Sequence, residues 1–181
     1  MLHLLQQNHL FGALLALPTV KQIATLEPVY RREATAALRA ALDELAARQQ
    51  FERLPDPHDA QLERSEHKVM KKLKRASRRT TTSRVDEGLL FAAIVRRAPL
   101  LTCEAPLRAL ALEVGHDDVY DELDLVDALC AFEAIDAHRR LELFGRPLGR
   151  QPPPTVDERC AQSAERGGLE RFPRCADPTP A

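Results

Sequence analysis

Three acidic side chains in this chain sit where short segments start or stop, and carboxylates in such places can hold a divalent cation. Asp86 opens an almost wholly apolar helix, in register with Leu90, Ala93 and Ile94. Glu104 directly follows the apolar run Leu100-Leu101-Thr102. Glu33 falls on a helical face with Ala37, Ala41 and Leu45, while Arg31, Arg32 and Arg39 turn outward. Oxygen ligands from separate segments that converge on Mg²⁺ or Mn²⁺ lower the pKa of a bound water and shield charge developing on a phosphate. Each acid also has a plainer role. Asp86 balances the positive end of its helix, Glu104 marks a helix start ahead of Pro106, and Glu33 pairs with neighbouring arginines at a helix rim. Asn8 is a residue type suited to capping the helix that follows it.

A second chemistry lies in the run from Lys68 to Arg84, where Lys68, Lys71, Lys72, Lys74, Arg75, Arg78, Arg79 and Arg84 occur without one acid. A run like this is either a solvated face or a surface that tracks phosphates. The formal net charge of -1 conceals it. With aromatic content of 4% and no Trp, the chain offers few platforms for stacking unpaired bases. The acids Asp117, Asp118, Asp121, Glu122, Asp124 and Asp127 lack the glycine turn of an EF-hand and read as a solvated helix face. Cys103, Cys130, Cys160 and Cys175 form no CxxC pair, which excludes a zinc ribbon and points to a reducing, cytoplasmic setting. Cys103 itself reads as a small buried side chain. The apolar run Leu10 to Val20 has no Lys or Arg before it and so does not read as a signal segment. No stretch reaches the roughly 18 apolar residues of a membrane span, so no membrane partner is expected.

The elements that must position these residues follow from periodicity and punctuation. Residues 2–5 read as a strand, 9–17 as a helix closed by Pro18, and 19–26 as an irregular or helical connection. One helix is expected from Val29 to about Arg48 after Pro28, then a strand over 51–54 stopped by Pro55-Asp56-Pro57. Asp59 reads as the N-cap of a helix running to about Ala76, with a loop over 77–83. The Asp86 helix, a strand at 100–102 and a helix over 106–114 ended by Gly115 come next, and a last long helix spans 117–144. The pattern predicts an α/β fold with a small, mostly parallel sheet flanked by helices over 1–145. The Pro-rich segment 146–181 reads as a disordered tail.

Val85 to Leu107, with its ending Thr102-Cys103-Glu104, resembles the C-terminal half of PIN-domain nucleases, in which an acid opens an apolar helix and a strand ends in Thr-x-acid. Leu4-Leu5-Gln6-Gln7-Asn8 is similar to the family's first strand and its Asp-x-Asn ending, with Gln6 where the first metal-binding Asp is expected. Pro28-Val-Tyr-Arg-Arg-Glu33 is similar to the family's Pro-x-x-x-x-Glu. The likeness covers residues 2–115 and extends to 144 if the last helix is included. It implies a PIN-like α/β/α sandwich of about five short parallel strands. It also implies Mg²⁺- or Mn²⁺-dependent endoribonuclease action, as in the toxin member of a toxin–antitoxin pair. Asp86, Glu104 and Glu33 would hold the metal, Asn8 and Thr102 would orient ligands or water, and the basic run would guide RNA. An antitoxin-type partner and homodimerisation are further implications. Gln6 offers a carbonyl oxygen but no charge, and the alternative expectation is a catalytically inactive PIN-like module that binds RNA or protein.

Overall fold

The computed structural model describes residues 1–145, so the predicted tail at 146–181 lies outside the described residues. The fold is mixed α/β and mostly helical, with two small two-stranded sheets. It divides into two compact units. Unit 1 comprises residues 1–3 and 22–119, and unit 2 comprises residues 4–21 together with those from 120 onward.

Unit 1 is organised by β1 (Ile23–Leu26) and β2 (Phe51–Leu54), which lie parallel with Ile23 opposite Phe51 and Leu26 opposite Leu54. Parallel neighbours need a crossover, supplied by α3 (Glu27–Arg32) and α4 (Ala36–Ala47). Pro28 stands in the first turn of α3, where its missing N–H costs nothing. The single helix expected over 29–48 is two. Thr35 Oγ1 accepts the Leu38 N–H at 3.2 Å, the donor a continuous helix would turn to the Ala34 carbonyl, so the chain restarts at Thr35. Tyr30 closes the corner by donating to Asp43 Oδ1 at 2.7 Å, and that acceptor holds the phenol above its ordinary range.

The first strand is therefore not residues 2–5. Leu2–Gln7 forms helix α1, in keeping with a segment that has no β-branched residue. The strand lies instead at Ile23–Leu26, within the stretch expected to be irregular or helical, because Phe51–Leu54 is there to pair with it.

After β2 come α5 (Arg64–Ser77), α6 (Arg84–Arg96), β3 (Leu100–Leu101), α7 (Ala105–Glu113) and β4 (Val119–Tyr120). β3 and β4 form the second sheet, and the Leu100 N–H donates to the Asp118 carbonyl at 2.9 Å. α6 packs on α5, α7, β1 and β3. Met70 and Leu73 of α5, Leu90 and Phe91 of α6, Leu107 and Leu110 of α7, and Val119 belong to one buried cluster. Gly88 permits the close approach of α6 to β1: a Cβ there would stand 2.8 Å from Leu26 Cδ1 and 3.3 Å from Pro57 Cδ. α5 begins at Arg64 rather than near Asp59. Glu63 and Glu66 form the capping box that starts it, while Asp59 is engaged with Arg84.

In unit 2, α2 (Phe11–Ala16) is followed in the chain by α8 (Glu122–Ala131) and α9 (Ala137–Gly145). The long helix expected over 117–144 thus becomes β4 and two helices. Glu133, at φ 56°, ends α8, and the Ala134 N–H returns to the Leu129 carbonyl at 2.9 Å. Arg140 of α9 joins Asp127 of α8 at 2.6 Å and lies over the Phe144 ring. Asp121, Asp124 and Asp127 are buried, which corrects the expected solvated face: the first two form the capping box of α8 and the third holds Arg140.

One device recurs at helix C-termini. His9, Gln49, Arg97, Gly115 and Glu133 all have left-handed backbones, and the next residue donates back to a carbonyl in the last turn. This is a Schellman closure, which glycine fills without steric penalty, and of these five positions only 115 uses glycine.

Candidate nucleic-acid interface

α5 has two opposed faces. Met70, Leu73, Ala76 and Ser77 point into unit 1 and are buried. Lys68, Lys71, Lys74, Arg75 and Arg78 occupy the opposite side and the first residue beyond the helix, and all five are exposed. Among the described residues no carboxylate forms an ion pair with any of these five. From Lys68 to Arg78 the row extends about 15 Å at the helical rise per residue.

The other three cations of the run are committed within the protein. Lys72 Nζ donates to the Val114 carbonyl at 2.5 Å, which helps close the end of α7. Arg79 is paired with Glu113. Arg84 bonds Asp59 at 2.5 Å and lies 3.4 Å from Asp56, and chiefly the Asp59 hydrogen bond holds its guanidinium above the ordinary arginine range.

Beneath the turn from α5 to α6 lies a polar cluster that sequence reasoning misses. Ser77 Oγ donates to Glu87 Oε1, whose other oxygen lies 3.7 Å from His58 Nε2. His58 Nε2 also donates to the Arg84 carbonyl at 3.1 Å. The Glu87 carboxylate stands between the hydroxyl and the imidazole, so His58 does not face Ser77 Oγ. The cluster braces the turn that follows the basic row. A Ser with Glu and His partners far apart in sequence carries no local signal.

The acidic residues take other places. Asp86 is the third residue of α6 and accepts from the Ser83 N–H at 2.8 Å, while its own N–H donates to Ser83 Oγ at 3.1 Å. This reciprocal cap is the structural role such an acid fills. Glu104 is exposed at the N-cap of α7. Buried Thr102 accepts the Glu104 N–H on its hydroxyl at 3.1 Å. Glu33 lies exposed at the end of α3 rather than on the expected inward face, because α3 has stopped there, and its carbonyl accepts from His3 Nε2 at 2.9 Å. Cys103 is exposed, not buried.

Gln6 and Asn8 belong to unit 2. Gln6 is the next-to-last residue of α1, and its carbonyl accepts the His9 N–H at 3.1 Å. Asn8 is buried and reaches back, its Nδ2 donating to the Leu4 carbonyl at 2.9 Å, so it closes α1 rather than capping α2. Its own carbonyl accepts from Arg139 at 3.1 Å. Among the described residues no three His, Cys, Asp or Glu side chains gather as metal ligands. Glu33, Asp86 and Glu104 accordingly do not fit a shared Mg²⁺ or Mn²⁺. Among the described residues no helix is long and apolar enough to cross a membrane.

No family model matches the chain, and neither a curated protein nor a solved structure matches it significantly.

Proposed function

We propose that this chain is an RNA-binding module whose contact surface is the outer face of α5, and that binding requires no divalent metal. The observation that carries this reading is the row Lys68, Lys71, Lys74, Arg75 and Arg78, exposed on one side of a helix whose other side is core. Cations not committed to internal carboxylates can exchange their counterions for phosphates, and the release of those ions drives association. The row carries no exposed large apolar side chain, since those described are Val95, Leu112 and Leu141, so it lacks what an amphipathic helix needs to enter a lipid interface. The test is fluorescence anisotropy with a labelled RNA, in Mg²⁺ and then in EDTA. Binding that persists in EDTA and is lost in Lys71→Ala/Lys74→Ala/Arg75→Ala supports the proposal; binding that the chelator abolishes refutes it.

The metal-dependent endoribonuclease implied by the resemblance, with its PIN-like sandwich and antitoxin-type partner, is the second reading. Its support is that α6, β3 and α7 follow one another as an acid-opened apolar helix, a short strand and a helix begun by Glu104. It requires cleavage of RNA that Mg²⁺ or Mn²⁺ restores after chelation and that Asp86→Asn abolishes. Asparagine keeps a side-chain oxygen for the Ser83 cap, so loss of cleavage in that variant would not be a folding effect.

A further inference from the structure

We infer that Thr81, between α5 and α6, is a phosphorylation site for an ATP-dependent Ser/Thr kinase that selects arginine ahead of its target. The phosphate there weakens RNA binding by α5, a consequence that rests on the RNA-binding reading above. Kinases choose their substrates by charge pattern, and those of this class take basic residues three and two positions before the accepting hydroxyl into an acidic cleft. Only two Ser or Thr residues of the chain have basic residues at both positions: Ser77, after Lys74 and Arg75, and Thr81, after Arg78 and Arg79. The structure separates them. Ser77 is buried and donates to Glu87. Thr81 is exposed and lies outside any helix or strand. Its hydroxyl makes no hydrogen bond among the described residues, whereas those of Thr80 and Thr82 bond each other at 2.7 Å and that of Ser83 accepts from the Asp86 N–H. Arg78 is exposed. Arg79, paired with Glu113, has a side chain 70% exposed, so exchanging that partner for a kinase carboxylate costs little.

In the transfer a bond forms between Thr81 Oγ1 and the γ-phosphorus of ATP as the bond from that phosphorus to the β–γ bridging oxygen breaks. The hydroxyl proton passes to the catalytic base of the kinase, and ADP leaves. The product carries about two negative charges at pH 7 and three strong acceptor oxygens. It stands three residues after Arg78, the last cation of the row. Arginine and phosphate pair strongly, often through two parallel hydrogen bonds, so the Arg78 guanidinium is taken up within the chain. Loss of one phosphate contact weakens RNA binding about eightfold at about 0.1 M salt and reduces the steepness of the salt dependence by about 0.9.

The experiment incubates the full chain with ATP, Mg²⁺ and the catalytic subunit of a cyclic-AMP-dependent protein kinase, which selects this arginine pattern. Mass spectrometry locates the phosphate, and anisotropy in EDTA reads RNA binding before and after. The expected result is phosphate on Thr81, none in Thr81→Ala, and slower transfer to Arg79→Ala. That last variant lies outside the row, so its RNA affinity should stay within about twofold of wild type, while the phosphorylated chain binds about eightfold or more weakly. Phosphate on Ser77 or another residue in place of Thr81, no phosphate at all, or RNA affinity unchanged by phosphate on Thr81 would overturn the inference while leaving RNA binding intact. RNA that fails to bind even the unphosphorylated chain would overturn the RNA-binding reading itself, and the mass spectrum alone would then decide the site.

Discussion

The salt dependence of RNA binding is the sharpest consequence of the α5 surface. Of the eight cations between Lys68 and Arg84, Lys72, Arg79 and Arg84 are committed to Val114, Glu113 and the Asp56–Asp59 pair. That leaves Lys68, Lys71, Lys74, Arg75 and Arg78 to meet phosphates. If all five do so on a duplex, the logarithm of the association constant falls with the logarithm of salt at a slope of about −4.5, and a rise from about 50 to about 200 mM salt weakens binding about 500-fold. In Lys71→Ala/Lys74→Ala/Arg75→Ala two contacts remain, the slope falls to about −1.8, and the same rise costs only about 12-fold. Lys72→Ala, whose ammonium is turned to a carbonyl, should leave the slope within about 0.5 of wild type. The assay is anisotropy titration at several salt concentrations, with circular dichroism to confirm that the variants remain folded. A triple variant that kept the wild-type slope would refute the assignment of these five side chains, whatever its absolute affinity.

Other expectations concern the scaffold. Gly88→Ala would gain about 1 kcal/mol from helix propensity if space allowed; the contacts with Leu26 and Pro57 reverse the sign, and a net loss of about 1–2 kcal/mol is expected by urea denaturation. Replacing His9, Gln49, Arg97 and Glu133 by glycine, one at a time, should stabilise the protein by about 0.5–1 kcal/mol each, because each holds a left-handed backbone with a side chain attached; no gain at any of the four would count against those backbones. Arg96 binds Glu52 through two hydrogen bonds of 2.7 Å, and those bonds with the guanidinium charge hold the Glu52 carboxyl below its ordinary range. With the folded pKa depressed, the contribution is complete above the unfolded value and disappears as pH falls through the folded one. Glu52→Gln should therefore cost about 0.5 kcal/mol at pH 6, discounted for solvent exposure, and nothing once wild-type Glu52 is protonated.

The elements legible in the sequence are those whose signals are local. Pro28 marks the start of α3, Ser83 and Asp86 mark the start of α6, and Gly115 marks the end of α7. Each is a single side chain acting within one turn. β1 is not legible, because Ile-Ala-Thr-Leu becomes a strand through its partner at Phe51–Leu54. The breaks after Arg32 and Ala131 are hidden for a related reason: Thr35 and Glu133 end or restart helices without glycine or proline to announce it. The basic run was visible as charge, and all eight members are exposed, but which of them are paired within the protein was not legible. Lys72, Arg79 and Arg84 find their partners 42, 34 and 25 residues away along the chain. The acids were visible too. Asp86 is occupied as a cap by the Ser83 N–H, a neighbouring donor that composition does not reveal.

The division of the chain between its units also sets an order of events during synthesis. Unit 1 is continuous from residue 22 to 119, apart from residues 1–3, whereas unit 2 draws on residues 4–21 and on those from 120 onward. Within unit 2 the Arg139 to Asn8 hydrogen bond joins positions 131 apart. A ribosome delivers the chain from its N-terminus, and compact units fold as they emerge. The segment bearing α5 has its partners as soon as residue 119 clears the exit tunnel, while residues 4–21 must wait for α8 and α9. On stalled nascent chains of increasing length, protease resistance should therefore appear first across residues 22–119.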